Sequence, residues 1–225
     1  MKTECGLIGT FTTKPISKEE LWYSLAEIQH RGQDSFGYVV LGRGEDADLE
    51  ARVVKEKGLL PDIDALDFGL RGIVDGARDG GGNGDDASAR DGAGSRIIFL
   101  GHMRYSTNTT TENLDASLVD CNIQPVEISR EFGIYLAHNV NLPNIRENMR
   151  RLGLGEYYKN GMSDTYLFRI IWNVRFAGKF KHAGRGCHLA DILEYLKYIV
   201  MHVVGAYSCV MTFYELLDES NGGSL

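Results

Sequence analysis

Thr3-Glu4-Cys5-Gly6-Leu7-Ile8-Gly9 puts a thiol at the fifth position of a 225-residue chain, directly ahead of a short apolar run. A cysteine this close to the N-terminus supplies two chemical groups once the residues before it are removed. The thiol is a nucleophile, and the freed α-amine, with a reference pKa of roughly 7.7 to 8.0, exchanges protons near neutrality. No histidine partner is then required. Read alone, a cysteine ahead of an early strand is a small buried apolar residue, so a chemical role for it depends on partners elsewhere in the chain.

Four further segments supply candidates, in this order: His30-Arg31-Gly32-Gln33-Asp34-Ser35, Gly101-His102-Met103-Arg104-Tyr105-Ser106-Thr107, His138-Asn139-Val140-Asn141-Leu142 and Ser163-Asp164-Thr165. Together with Cys5-Gly6 they resemble the glutaminase domain of amidophosphoribosyltransferase, a class II glutamine amidotransferase of the N-terminal-nucleophile hydrolase superfamily that opens purine synthesis. The resemblance runs from Cys5 to Phe213. Within that superfamily, Arg-Gly-Gln-Asp-Ser and Arg-Tyr-Ser-Thr look more like the purine enzyme than like glucosamine-phosphate synthase or asparagine synthetase glutaminases. The order of strands and helices gives an α+β fold, an antiparallel sheet with helices on its outer faces. The resemblance sharpens this to a four-layer αββα sandwich.

The resemblance also implies roles. Cys5 would attack the side-chain amide of glutamine, its α-amine would carry the proton to leaving ammonia, and water would hydrolyse the γ-glutamyl thioester. Arg104 would pair with the substrate α-carboxylate through two parallel hydrogen bonds; its plainer reading is a surface ion pair. Asp164 would hold the α-ammonium, and is equally an acid favoured at a helix N-terminus. Asn139 and the Val140 N–H would stabilise the oxyanion. Thr107 and Arg31 complete the substrate-binding set, Arg31 together with Gly32 also organising the turn around the nucleophile. His30, His102 and His138 read as structural. Three departures stand out: Val140 where the family has glycine, Phe36 where the family has a small residue, which would reshape the pocket floor, and the segment Asn108 to Asn122. Valine keeps an N–H, but its branched side chain disfavours positive φ and takes up space.

Acidic residues outnumber basic ones, 31 to 24, for a formal net charge of −7, and no cluster of basic and aromatic residues marks a nucleic-acid partner. The sequence contains no signal-peptide pattern and no run of about 18 apolar residues, so a cytoplasmic protein without a membrane partner is expected. Cys5, Cys121, Cys187 and Cys209 are far apart, as suits reduced thiols. His182, Cys187 and His188 read as loop residues rather than metal ligands, and neither metal nor other cofactor is called for.

The expected organisation is a removable leader at 1–4 and a single domain at 5–225, with a Gly/Asp-rich surface insertion at about 69–95. The acidic motif of a phosphoribosyltransferase domain is absent, so the acceptor of ammonia would be a separate synthase or phosphoribosyltransferase chain, or a domain that was removed. Homo-oligomerisation stays open. Beside the glutaminase stand two other readings: a weak or inactive relative serving as a glutamine-binding or interaction module, and another amidase using the same nucleophile.

Local patterns predict the elements that would carry these residues. Ser17 and Glu20 form a capping box for a helix from Lys18 to Gln29. Strands are expected at Tyr38–Leu41, Ala51–Lys55, Arg96–Leu100, Phe132–Ala137 and Ala206–Tyr214. A short helix is expected after Asn144, a second begins at Ser163 with Leu167, Ile170, Ile171 and Val174 on its apolar side, and Leu189, Ile192, Leu193, Leu196, Ile199, Val200 and Val203 mark the apolar positions of a third.

Overall fold

The structure, a computed structural model, describes residues 5–43, 48–70, 72–74, 96–105, 122–159, 162–179 and 187–214. In chain order the elements are β1 (Gly6–Thr12), β2 (Ile16–Ser17), α1 (Lys18–Ile28), β3 (Ser35–Arg43), β4 (Leu49–Lys57), β5 (Ile73–Val74), β6 (Ile97–Arg104), β7 (Val126–Ser129), β8 (Ile134–Asn141), α2 (Ile145–Arg151), α3 (Thr165–Ile171), α4 (Leu189–His202) and β9 (Ala206–Met211). Helix and sheet are mixed along the chain, as the α+β expectation has it.

β3 is apolar almost from end to end, the composition of a strand covered on both faces. It lies inside an antiparallel sheet of order β1-β6-β3-β4. A second antiparallel sheet has the order β7-β8-β9, and β2 pairs in parallel with β5. Alternation along the strands sorts the core. Phe36, Tyr38 and Val40 of β3 join Phe99 and Met103 of β6 under Leu21 and Leu25 of α1. From the opposite face, Val39, Leu41 and Leu100 meet Tyr135 and Ala137 of β8. The other face of β8, with Ile134 and Leu136, packs with Leu167, Phe168 and Ile171 of α3 and with Ile192, Tyr195 and Ile199 of α4.

The capping box forms as read: Ser17 N–H donates to Glu20 Oε2 at 2.9 Å and Glu20 N–H to Ser17 Oγ at 3.1 Å. Asn144 caps α2, its Oδ1 accepting from Glu147 N–H at 3.1 Å. Helix α1 stops at Ile28, and Gln29–Arg31 tightens into a 3₁₀ turn that carries His30 and Arg31. Every strand about the site is longer than its apolar run, because ladder pairing continues through the polar residues. Arg104 therefore closes β6 and Asn139 lies within β8. Helix α3 starts at Thr165 with Asp164 as its cap, rather than at Ser163. A π-helical turn at Trp172–Phe176 then shifts the register, burying Trp172 and Phe176 and turning Val174 outward, 43 % exposed.

Two expectations are corrected by packing. Leu189, Leu193 and Val200 lie on the exposed side of α4, because Ile192, Tyr195 and Ile199 at helical spacing occupy the sheet. Phe36, read as a change to a pocket floor, is fully buried beneath α1. Of the Gly/Asp-rich stretch, Ile73 and Val74 form β5; 71 and 75–95 lie outside the described residues.

Candidate active site

The antiparallel register of β1 on β6 pairs Gly6 with Met103, so Cys5 falls opposite the end of β6. Its Sγ lies 3.5 Å from the amide nitrogen of Tyr105, which donates to it, and 3.7 Å from the Tyr105 carbonyl oxygen. Two glycines allow this approach. A Cβ on Gly6 would come within 2.9 Å of the Ile28 carbonyl oxygen, and one on Gly32 within 2.5 Å of the Met103 and Arg104 backbone. Gly32 has extended backbone, φ −152°, so the site needs it for space alone. The turn after α1 thus seats against the end of β6 beside the nucleophile.

Burial pushes the Cys5 thiol above its ordinary pKa and Asp164 adds to this, while the Tyr105 amide and the positive charge of Arg104 oppose it. Burial likewise pulls the Arg104 guanidinium down, against the negative charges of Cys5, Asp34 and Asp164. Asp164 is raised by burial and held back by the amides of Leu142, of Asp164 itself and of Thr165, then by Arg104. Cys5, Arg104 and Asp164 therefore share one electrostatic neighbourhood, although they come from the starts and ends of three different elements. Arg104 Nη1 also donates to the Asn122 carbonyl oxygen at 3.3 Å.

Asn139 has the same strand parity as Tyr135 and Ala137, which face the layer between the two sheets. Arg104 has the parity of Leu100, which faces that layer from the other sheet. Val140 lies in β8 opposite Tyr207. That pairing makes its main chain extended strand, which is not of the kind that demands glycine. Amides alternate along a strand; the Val140 N–H is directed to the same side as that of His138, past the end of β7.

His102 and His138 are buried, and among the described residues their ring nitrogens meet no hydrogen-bond partner in good geometry. Burial pulls each pKa down to about 3, so both are neutral at pH 7, in keeping with structural rather than acid-base roles. His30 Nδ1 lies 2.9 Å from the Glu27 carbonyl oxygen. Arg31 is exposed on its turn, its Cβ beside Gly6. Thr107 lies outside the described residues, as does most of 108–122.

A cavity of about 620 Å³ lined by Arg52, Lys55, Glu127, Arg130, Tyr135 and Arg169, among others, lies along β4 and β7 and contains none of the predicted site residues. Among the described residues no three His, Cys, Asp or Glu side chains gather as metal ligands, and no helix is long and apolar enough to cross a membrane. The sequence reading gave no role to Asp34, Asn122 or Gln124. The two amides lie at and just after the end of the segment that departs from the family pattern, and their partners are more than a dozen residues away.

No family profile matches the chain. Amidophosphoribosyltransferase of Haemophilus influenzae is 27 % identical over 92 % of this chain and 34 % of its own length. The Escherichia coli enzyme of that name is 29 % identical over 92 % of the chain and 34 % of its length. That of Pyrococcus horikoshii is 28 % identical over 95 % of the chain and 37 % of its length. The chain thus spans about a third of the length of these relatives. Across nearly all of its own sequence, the protein is a relative of the amidophosphoribosyltransferases, and its likeness is to their glutaminase domain.

Proposed function

We propose that the protein is the glutaminase domain of a class II glutamine amidotransferase, folded as a four-layer αββα sandwich of the N-terminal-nucleophile type. The three apolar clusters, under α1, between the sheets and beneath α3 and α4, support the layering. The observation that carries the function is the convergence of the Cys5 thiol, the Arg104 guanidinium and the Asp164 carboxylate in one electrostatic neighbourhood.

In this reading Arg104 pairs with the α-carboxylate of glutamine and Asp164 with its α-ammonium, aiming the side-chain amide at Cys5. The α-amine of Cys5 takes the thiol proton as sulfur attacks the amide carbon. The oxyanion accepts from the Asn139 side chain and the Val140 N–H. On collapse the α-ammonium returns its proton to the nitrogen, ammonia leaves, and a γ-glutamyl thioester remains. Water then adds, its proton passing through the same amine, and glutamate departs as the thiol re-forms. Arg31 and Thr107 belong to the substrate side of the site. The ammonia would pass to a synthase or phosphoribosyltransferase partner, in the cytoplasm.

Val140, in place of the family's glycine, favours a second reading: a slow or inactive relative that binds glutamine or a protein partner. Incubating protein whose N-terminus is Cys5 with glutamine separates the two. The glutaminase reading requires glutamate and ammonia in equal amounts, and none from Cys5→Ala. Glutamine binding without release selects the second reading, and turnover by a preparation that still begins at Met1 sinks the α-amine mechanism.

A further inference from the structure

We infer that Asn122-Ile123-Gln124 is a positioning segment that holds the two halves of the site in register, with Gln124 setting the main chain that carries Asn139 and Val140. The inference rests on the proposed glutaminase reading and names the residues that keep its oxyanion donors in place. All three residues are buried, at 3 %, 0 % and 7 % exposure. The segment touches both sheets. Asn122 offers its carbonyl oxygen to Arg104 at the end of β6 (3.3 Å), and Gln124 Oε1 accepts from the His138 N–H of β8 at 2.6 Å. The Gln124 carbonyl also lies against Gly37 of β3, where any Cβ would collide with it.

Register explains why a side chain serves here. Val126 pairs with Leu136, so Gln124 falls opposite His138, two residues further along the same ladder. The Gln124 main-chain carbonyl is turned to Gly37 of β3 rather than to His138. The β7–β8 pairing therefore ends at Val126, and the Gln124 carboxamide supplies the acceptor that the next main-chain residue would have offered. Without it the buried His138 amide would lose its partner, the kind of loss that local backbone movement relieves. That movement would fall on the next two residues, Asn139 and Val140, whose donors must point at one developing charge.

Gln124→Met keeps the length and removes the acceptor, whereas Gln124→Glu keeps an acceptor oxygen. Gln124→Met should lower kcat for glutamine hydrolysis about tenfold with KM within about twofold of wild type, and Gln124→Glu should recover most of the loss. Amide hydrogen exchange reads the same contact without turnover. His138 N–H should be protected in the wild-type protein and exchange at least about tenfold faster in Gln124→Met, with Ala137 N–H, directed at β9, unchanged. An unprotected His138 amide in the wild-type protein overturns the inference whether or not either variant folds. So do equal exchange in folded Gln124→Met and wild type, and a loss in KM alone. A wild-type protein without glutaminase activity fails the functional reading instead, and exchange alone then decides the role of Gln124.

Discussion

The Cys5 sulfur accepts the N–H of Tyr105 at 3.5 Å, a contact across 100 residues of sequence. Tyr105 is the residue after Arg104, so one stretch of backbone fixes the nucleophile and the guanidinium relative to each other. The energetic consequence is mixed. The amide and the guanidinium favour the thiolate, yet burial outweighs them and leaves the thiol above its ordinary pKa. A thiol held neutral needs a base at the moment of attack, and the freed α-amine on the same residue is the base the proposed chemistry uses.

Removing either anchor separates binding from chemistry. In a Cys5→Ala background, Arg104→Ala and Asp164→Ala each strip one charged end of glutamine of its partner. The site is partly open, so the lower end of the usual range applies, about 2 kcal/mol or roughly 30-fold in Kd. Calorimetric titration with glutamine measures this. Affinity unchanged in both variants would mean that the two charges do not hold the ligand.

Val140 now has a narrower test. Relief of backbone strain at a positive-φ position is worth about 1 to 3 kcal/mol and is available to glycine alone. Since Val140 lies in a regular strand, side-chain bulk is the remaining way for it to slow turnover. Val140→Ala and Val140→Gly should then raise kcat alike, within about threefold of each other. A gain of more than about tenfold confined to the glycine variant would show that strain was present after all.

His102 and His138 predict a pH dependence of stability. Their folded pKa values lie near 3, below the ordinary 6.5, so the unfolded chain takes up protons first as pH falls. Stability from these groups is full above about pH 6.5 and is lost progressively from there toward pH 3. At pH 5 the two together cost about 4 kcal/mol relative to pH 7. Urea denaturation at both pH values checks this, and His102→Leu should halve the difference. Equal stability of the wild type at pH 7 and pH 5 would place the two rings in contact with solvent.

The sequence carried the parts of this molecule that depend on short patterns. Ser17 with Glu20 and Asn144 with Glu147 were legible as caps because the physics of an exposed helix start lies within four residues. Cys5, Arg104, Asp164 and Asn139 were legible as candidates because they sit inside motifs that resemble a known family, and the structure brings the first three into one electrostatic neighbourhood. The side of α4 facing the sheet was not legible, since apolar residues surround that helix and only the opposing strand chooses among them. Nor was the fate of Phe36, decided by which face of β3 lies under α1. Gln124 had no local signal, its partner at His138 being set by where β7 ends.

The proposed chemistry turns on an acyl intermediate between Cys5 and glutamine, and its sharpest test is the mass of mature protein rapidly quenched in acid during turnover of glutamine. A fraction of the chains should carry one γ-glutamyl group, located on the Cys5 peptide and absent from Cys5→Ala. Glutamate release at an undiminished rate from Cys5→Ala, or an acyl group found on any residue other than Cys5, would contradict it.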